Sequence, residues 1–385
     1  MMKNLALCAA AFALLPATAM PVQGQVTSID SPTLSEQIQA IRKSASLTAI
    51  GATVMVDGQV IAEAAVGERR QGSDVPVTVD DRWHIGSVTK SMTATVIAKL
   101  VERGELAWDA TLPALLPEMS ADFDSSWNDV HLHHLLTHTA GLPANFPVRV
   151  QFLRPESRSS LHETRRQELV AVLAEPARSP PGDRHSYSNI GYTLAGFIAA
   201  EKAGVPWETL MERELFVPLK LTSAGFGPPV GENELDQPWG HRRSLFVRVP
   251  ADPKGGADNS PIIGPAGIIH MTMKDLAAYG WQHLHGETTP DGMLKADTFV
   301  KLHTPAAGDY GYGWVIWQRD WADGRLIWHN GSNTMWYTLL MLVPSRDAVI
   351  VVVTNDGNLA DAQPAFFDLA ESIVKVLPVV RKEGQ

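Results

Sequence analysis

Cysteine is almost missing from the 385-residue chain, which holds a single one, Cys8. Beyond that position the absence excludes disulfides, thiol nucleophiles and cysteine-based zinc sites. Clusters of cationic residues are missing too. Lys and Arg number 32 against 42 Asp and Glu, a net charge of -10. An acidic chain without a basic run cannot neutralise a phosphate backbone, so no nucleic-acid partner is expected. No apolar stretch reaches the roughly 20 residues that a membrane helix needs. The run Leu5 to Leu15 follows Lys3 and precedes Pro16 and Ala17-Thr18-Ala19. That order is the pattern of a signal peptide within residues 1–24, with cleavage expected after residue 19 or 24. A periplasmic or secreted protein without a stable membrane anchor follows. Also lacking is any G-x-S-x-G nucleophile elbow. Gly225-Phe226-Gly227 has neither the third glycine nor the preceding strand of a dinucleotide fingerprint.

What is present reads as a globular fold. Apolar residues make up 45% and charged residues 19%, which argues against a disordered chain. Leu34, Ile38, Ile41 and Ala45 recur at helical spacing. Ala49 to Val56 and Val60 to Val66 read as strands joined at Asp57-Gly58, a hairpin signal. Three more strands are expected at Arg325 to Trp328, Thr338 to Val343 and Ala348 to Thr354. A terminal helix is marked by Phe366, Leu369, Ile373 and Val376. Between about residues 106 and 285 the signals are helices and loops. The layout predicts an α+β fold in one catalytic domain, residues 30–380. An antiparallel sheet is flanked by N- and C-terminal helices. Its α/β lobe comprises about 30–105 and 286–380, and an all-helical lobe of about 106–285 is inserted.

Three short constellations can carry chemistry. Ser87 and Lys90 sit three residues apart at the start of a predicted helix, so the amine lies one turn from the hydroxyl and can take its proton. Ser372 and Lys375 share the spacing inside the terminal helix and read as an ordinary helix face. Tyr187-Ser188-Asn189 offers a phenol for proton relay and an amide for a substrate carbonyl. Ser126-Trp127-Asn128 resembles it but lies in an acidic loop and reads as structural. His329-Asn330-Gly331-Ser332 follows a strand. Gly331 lets a substrate lie against the strand edge, and the Ser332 N–H can join that of Ser87 as an oxyanion hole. His131, His133, His134 and His138 raise a metal site, but Leu135 stands where a two-histidine zinc helix needs glutamate, so no metal or other cofactor is expected. Trp314, Trp317, Trp321, Trp328 and Trp336 serve either core packing or an apolar wall that would favour ester substrates.

The three motifs, in the order Ser-Lys, Tyr-Asn, His-x-Gly, resemble the serine β-lactamase and penicillin-binding protein superfamily. The class C β-lactamase-like branch, with its D,D-carboxypeptidases, D-aminopeptidases and esterases, is most similar. Leu135 to Pro143 (LLTHTAGLP), Tyr187 to Gly196 (YSNIGYTLAG), Gly264 to Ala277 and Tyr310 to Trp314 (YGYGW) agree with it, and the likeness runs from about Leu34 to Val376. It implies Ser87 as the acylated nucleophile, with Lys90 and Tyr187 as proton-transfer partners. Asn189 would bind the substrate amide, and the Ser87 and Ser332 amides would hold the oxyanion. His329 stands where the family usually has a lysine that holds a substrate carboxylate. With a pKa near 6.5 the imidazole would be mostly neutral at pH 7 and would charge on acidification. The resemblance implies a serine hydrolase acting on an ester, a D-amino-acid peptide or a β-lactam, with esterase or peptidase activity favoured over true β-lactamase activity. A catalytically silent binding relative is the reading of another class, separable by covalent labelling. Which of Lys90 and Tyr187 is the base is left open.

Overall fold

Pairing of the N-terminal strand Ala49–Val56 with Ala348–Thr354 draws both ends of the chain into one sheet. The structure, a computed structural model, describes residues 29–380 apart from 232, 245, 246, 256 and 291. The expected signal segment and Cys8 therefore lie outside the described residues. The main sheet holds β1 (Ala49–Val56), β2 (Gln59–Gly67), β3 (Val315–Arg319), β4 (Gly324–Ser332), β5 (Tyr337–Val343) and β6 (Ala348–Thr354). Asp57 and Gly58 both have positive φ, 49° and 68°, as a two-residue hairpin turn requires. Neighbours run β2-β1-β6-β5-β4-β3, each pair antiparallel. In sheet order, then, the C-terminal β6 is central, with Ile50 opposite Thr354 and Val56 opposite Ala348.

The helices that cover the sheet or build the site are α1 (Ser31–Ser44), α2 (Thr89–Glu102), α3 (Arg158–Leu173), α4 (Asn189–Ala203), α5 (Met273–Gly286) and α6 (Leu359–Val376). Side chains alternate across a strand, so each sheet face is apolar in its own right. Ile50, Ala52, Val54, Ile350 and Val352 share a core with Leu34 and Ile38 of α1 and Phe366 and Ile373 of α6. Val349, Val351, Val353, Leu340 and Leu342 share the other core with α5. Gly280 brings α5 close, since a Cβ there would lie 2.9–3.0 Å from Val349, Leu340 and Leu342.

Two details differ from the sequence reading. Residues 106–285 are not all helical. They supply strands Gly225–Phe226 and Ile269–Thr272, of which Ile269–Thr272 lies between Gly225–Phe226 and Arg82–His84 and pairs with both, and a hairpin, Gly240–Ser244 with Val247–Ala251. The expected lobe also ends too late, because α5 packs on the main sheet: its apolar stripe finds its partners there. Helix α2 is buried almost all round, from Thr89 to Ala98, and packs against α4. Its threonines satisfy themselves on backbone carbonyls, Thr93 on Pro265 O and Thr95 on Ser91 O, both at 2.8 Å.

Candidate active site

Ser87 sits in a single helical turn, Gly86–Val88, between strand Arg82–His84 and α2. Lys90 follows one turn on, inside α2 and fully buried. Its Nζ lies 3.0 Å from Ser87 Oγ, 2.8 Å from Asn189 Oδ1 and 2.8 Å from Ala266 O. None of these three is a carboxylate. Burial alone therefore acts on the amine and pulls its pKa well below the ordinary lysine value. Two of the three contacts, the carbonyl and the amide oxygen, can only accept. A neutral amine gives its two hydrogens to them and turns its lone pair toward Ser87 Oγ.

Tyr187 approaches from the other side, its Oη 2.7 Å from Ser87 Oγ. The residue is 39% exposed, but its hydroxyl end is enclosed. That enclosure pushes the phenol up to about 12, against the hydrogen bond with Ser87 that lowers it. Asn189 is the first residue of α4. The helix opens there because Ser188 caps it by accepting from Gly191 N at 3.0 Å. Asn189 Nδ2 donates to Asn145 Oδ1 at 2.7 Å, which fixes its Oδ1 toward Lys90.

Strand β4 runs four residues past its expected end at Trp328. β3 stops pairing at Val315 opposite Trp328, whereas β5 continues, with Leu340 opposite His329 and Tyr337 opposite Ser332. The β3 side of residues 329–332 is thus left for the Ser87 turn to pack against. Only glycines allow this approach. A Cβ on Gly331 would lie 2.8 Å from Gly86 C and closer still to Ile85 O and Ser87 N. One on Gly86 would lie 2.9 Å from Ser332 Cα and closer to Ser332 N. The amides of Ser87 and Ser332 consequently lie on two backbones in direct contact.

His329 departs from the sequence expectation. It is 3% exposed. Its Nδ1 donates to Asn330 O at 2.6 Å, and its Nε2 accepts from Tyr310 Oη at 3.1 Å. Burial, and secondarily the nearby Lys90, lower its pKa to about 3. It is a fixed neutral imidazole, not a group that charges below pH 6.5.

Sequence reasoning weighed His138 only as a metal ligand and gave no role to Asn145. His138 accepts from Ser188 N at 3.1 Å through Nδ1, and its ring lies 4.5 Å from that of Tyr187. The stretch that carries it, Leu135 to Pro143, was visible as a resemblance but gave no sign of contact with Tyr187. The other histidines hold backbone: His131 and His133 face the carbonyls of Asp109 and Trp108, and His134 accepts from His131 N. Among the described residues no group of three or more such side chains is placed to hold a metal ion. The tryptophans pack the interior, Trp336 against Trp83, Trp317 against Trp328, and Trp314 beside Tyr279. None lines the pocket beside Ser87, which overturns the apolar-wall reading. Ser126 accepts from Ala177 N, and Ser372 donates to Leu369 O while Lys375 pairs with Glu371. Both rival motifs are structural.

Ser87 lines the smaller of two spaces. A pocket of about 180 Å³ is lined by Ser87, Tyr187, Asn330, Tyr337, Leu359 and Gln363, with residues 329–332 along one wall and no lysine or arginine among its lining residues. A groove of about 1630 Å³ begins where Asn333 and Thr334 continue that strand, and is lined by Asn145, Val148, Phe152 and Phe226.

A buried lysine and a phenol flanking one serine hydroxyl, opposite the edge of an antiparallel sheet, define a serine hydrolase that needs no histidine base. The sequence matches the family described as Beta-lactamase over residues 34–372, and the chain belongs to that family. It is 26% identical to "Penicillin-binding protein 4" of Amycolatopsis lactamdurans over 374 residues, covering 90% of each chain. It is 24% identical to "D-alanyl-D-alanine-carboxypeptidase/endopeptidase AmpH" of Escherichia coli K12, covering 79% of each. A "Beta-lactamase" of the same strain is 31% identical over 207 residues, 53% of this chain and 48% of that one. Among solved structures, the octameric penicillin-binding protein homologue from Pyrococcus abyssi superposes with a TM-score of 0.73 at 23% identity, over 90% of this chain and 78% of that one. The fold is therefore that of β-lactamases and penicillin-binding proteins, and the chain is a serine hydrolase of that superfamily.

Proposed function

We propose that the chain cleaves an ester, or a D-amino-acid amide, whose leaving group carries no carboxylate, through an acyl-enzyme on Ser87. The observation that carries this reading is the placement of Ser87 Oγ 3.0 Å from Lys90 Nζ and 2.7 Å from Tyr187 Oη. Lys90, neutral through burial, takes the Ser87 proton as Oγ bonds to the substrate carbonyl carbon. The carbonyl oxygen gains the charge and is held by the N–H groups of Ser87 and Ser332. Tyr187, which lines the small pocket, protonates the leaving group as its bond to the carbonyl carbon breaks. The proton on Lys90 passes to the tyrosinate, and water then releases the acyl group with the same pair as base.

The substrate preference rests on His329. A buried neutral imidazole gives a carboxylate no charge to pair with, and the small pocket beside it has no lysine or arginine in its lining. The leaving group occupies this pocket, and the acyl portion extends past Asn189 into the groove. Residues 30–380 act as one catalytic unit, and the N-terminal sequence supports export to the periplasm or beyond the cell. The test uses purified protein with a fluorophosphonate label and a panel of p-nitrophenyl esters, nitrocefin and D-Ala-terminated peptides. The label should map to Ser87, and short neutral esters should turn over fastest. An unlabelled protein would be a binding relative, and nitrocefin turned over faster than the esters would make the chain a β-lactamase.

A further inference from the structure

A buried pair, Asp258 and His84, ties together the two backbones that carry the oxyanion amides. His84 is fully buried, three residues before Ser87. Its Nδ1 accepts from Gly86 N at 3.1 Å, so the ring is neutral and its proton sits on Nε2. That nitrogen faces both carboxylate oxygens of Asp258, at 3.0 and 3.1 Å. The same carboxylate accepts from Asn333 Nδ2 at 2.7 Å. Asn333 in turn accepts from Met335 N through Oδ1, at 3.2 Å. Gly86 adjoins Ser87, and Asn333 adjoins Ser332. The path Gly86–His84–Asp258–Asn333 therefore bridges the neighbours of both oxyanion donors, through a carboxylate that is 6% exposed. Losing one of these bonds leaves the buried His84 or a largely buried carboxylate without its partner.

We propose that His84 and Asp258 are positioning residues that set the spacing between the Ser87 and Ser332 N–H groups. The proposal rests on the acyl-enzyme reading above. His84 lies behind the Ser87 turn, Asp258 forms part of the groove wall away from the reacting carbonyl, and neither exchanges a proton during turnover. Their action is to hold the Gly86–Val88 turn and the end of β4 at the separation that an oxyanion fits.

The test compares Asp258→Ala and the isosteric Asp258→Asn with wild type on p-nitrophenyl acetate and its thiono analogue, in which sulfur replaces the carbonyl oxygen. An oxyanion hole built for oxygen favours the oxo ester, and removing one donor costs about 10²–10³ in kcat. The variants should lose roughly tenfold or more in kcat on the oxo ester with KM nearly unchanged. They should lose less on the thiono ester, so the preference narrows. Hydrogen exchange followed by mass spectrometry should show peptides spanning 84–88 and 331–335 both loosening, with α6 unaltered. Equal losses on both esters, or loosening of only one segment, would overturn the proposal. If wild type hydrolyses neither ester, the functional reading fails, and the exchange data alone decide whether the clamp exists. Should Asp258→Ala fail to fold, Asp258→Asn carries both measurements.

Discussion

Substituting Gly331 by alanine tests whether the strand edge and the Ser87 turn form one device. The added methyl would sit 2.8 Å from Gly86 C and closer to Ile85 O and Ser87 N, all backbone atoms that no rotamer change can move aside. Ordinary contact begins near 3.4 Å, so the two backbones must part by about 1 Å at the Ser87 amide. A misplacement of about 1 Å at a reacting centre costs on the order of 10²-fold in rate. Overpacking a filled interior costs about 1–3 kcal/mol, little enough for a domain of this size to remain folded. The expected result is a folded Gly331→Ala protein whose melting temperature falls by a few degrees and whose rate of fluorophosphonate acylation falls by two orders of magnitude. Gly308→Ala is the control, since nothing lies within 4 Å of its Cβ and only its φ of 59° resists the change. Wild-type acylation in a folded Gly331→Ala protein would show that Ser332 takes no part in holding the oxyanion.

Ser87→Ala should abolish turnover and labelling while Ser372→Ala leaves both intact, and an adduct mapped to another serine by mass spectrometry would sink the assignment. Lys90 has a folded-state pKa below its unfolded one, so between the two values the unfolded chain binds the extra proton and stability rises with pH. Lys90→Met removes that slope: measured by urea midpoints, wild type should gain on the variant as pH rises toward the ordinary lysine value, and parallel curves would contradict a buried, depressed lysine. Because His329 charges only near pH 3, KM for carboxylate-bearing substrates should stay flat from pH 8 to pH 5, and a drop across pH 6.5 would mean that the imidazole is accessible after all. EDTA should leave activity unchanged, since the histidines of 131–134 are engaged with backbone; activity lost to the chelator and restored by zinc would reinstate them as ligands.

The local parts of the fold were legible. The Asp57-Gly58 hairpin, β1 and β6 follow from turn chemistry and alternation, which depend on neighbours in sequence. The Ser87–Lys90 pair was legible for the same reason, one helical turn being a local distance. Neither the length of β4 nor the state of His329 could be read this way. The first depends on β5 outrunning β3, and the second on burial beneath Tyr310. Asp258 carried no motif because its partners lie far along the chain, and a lone aspartate before an asparagine reads as a turn. The tryptophans misled because clustering in sequence says nothing of which sheet face each residue takes.

The position of β6 has a consequence for how the chain acquires its shape. This strand lies between β1 and β5, so the N-terminal hairpin has no neighbour but β6 on its inner side. Pairing Ile50 with Thr354 closes a loop of about 300 residues, a contact of very high sequence separation, and such contacts slow folding. During synthesis the residues from Ala49 to Gly67 must wait, with an unpaired edge, until β6 emerges. Ser87 is made early, but the strand it needs, β4, is drawn into place only by β5 and β6. A nascent chain that stops short of β6 would therefore carry the nucleophile and its lysine while β3, β4 and β5 are not yet joined to the N-terminal hairpin.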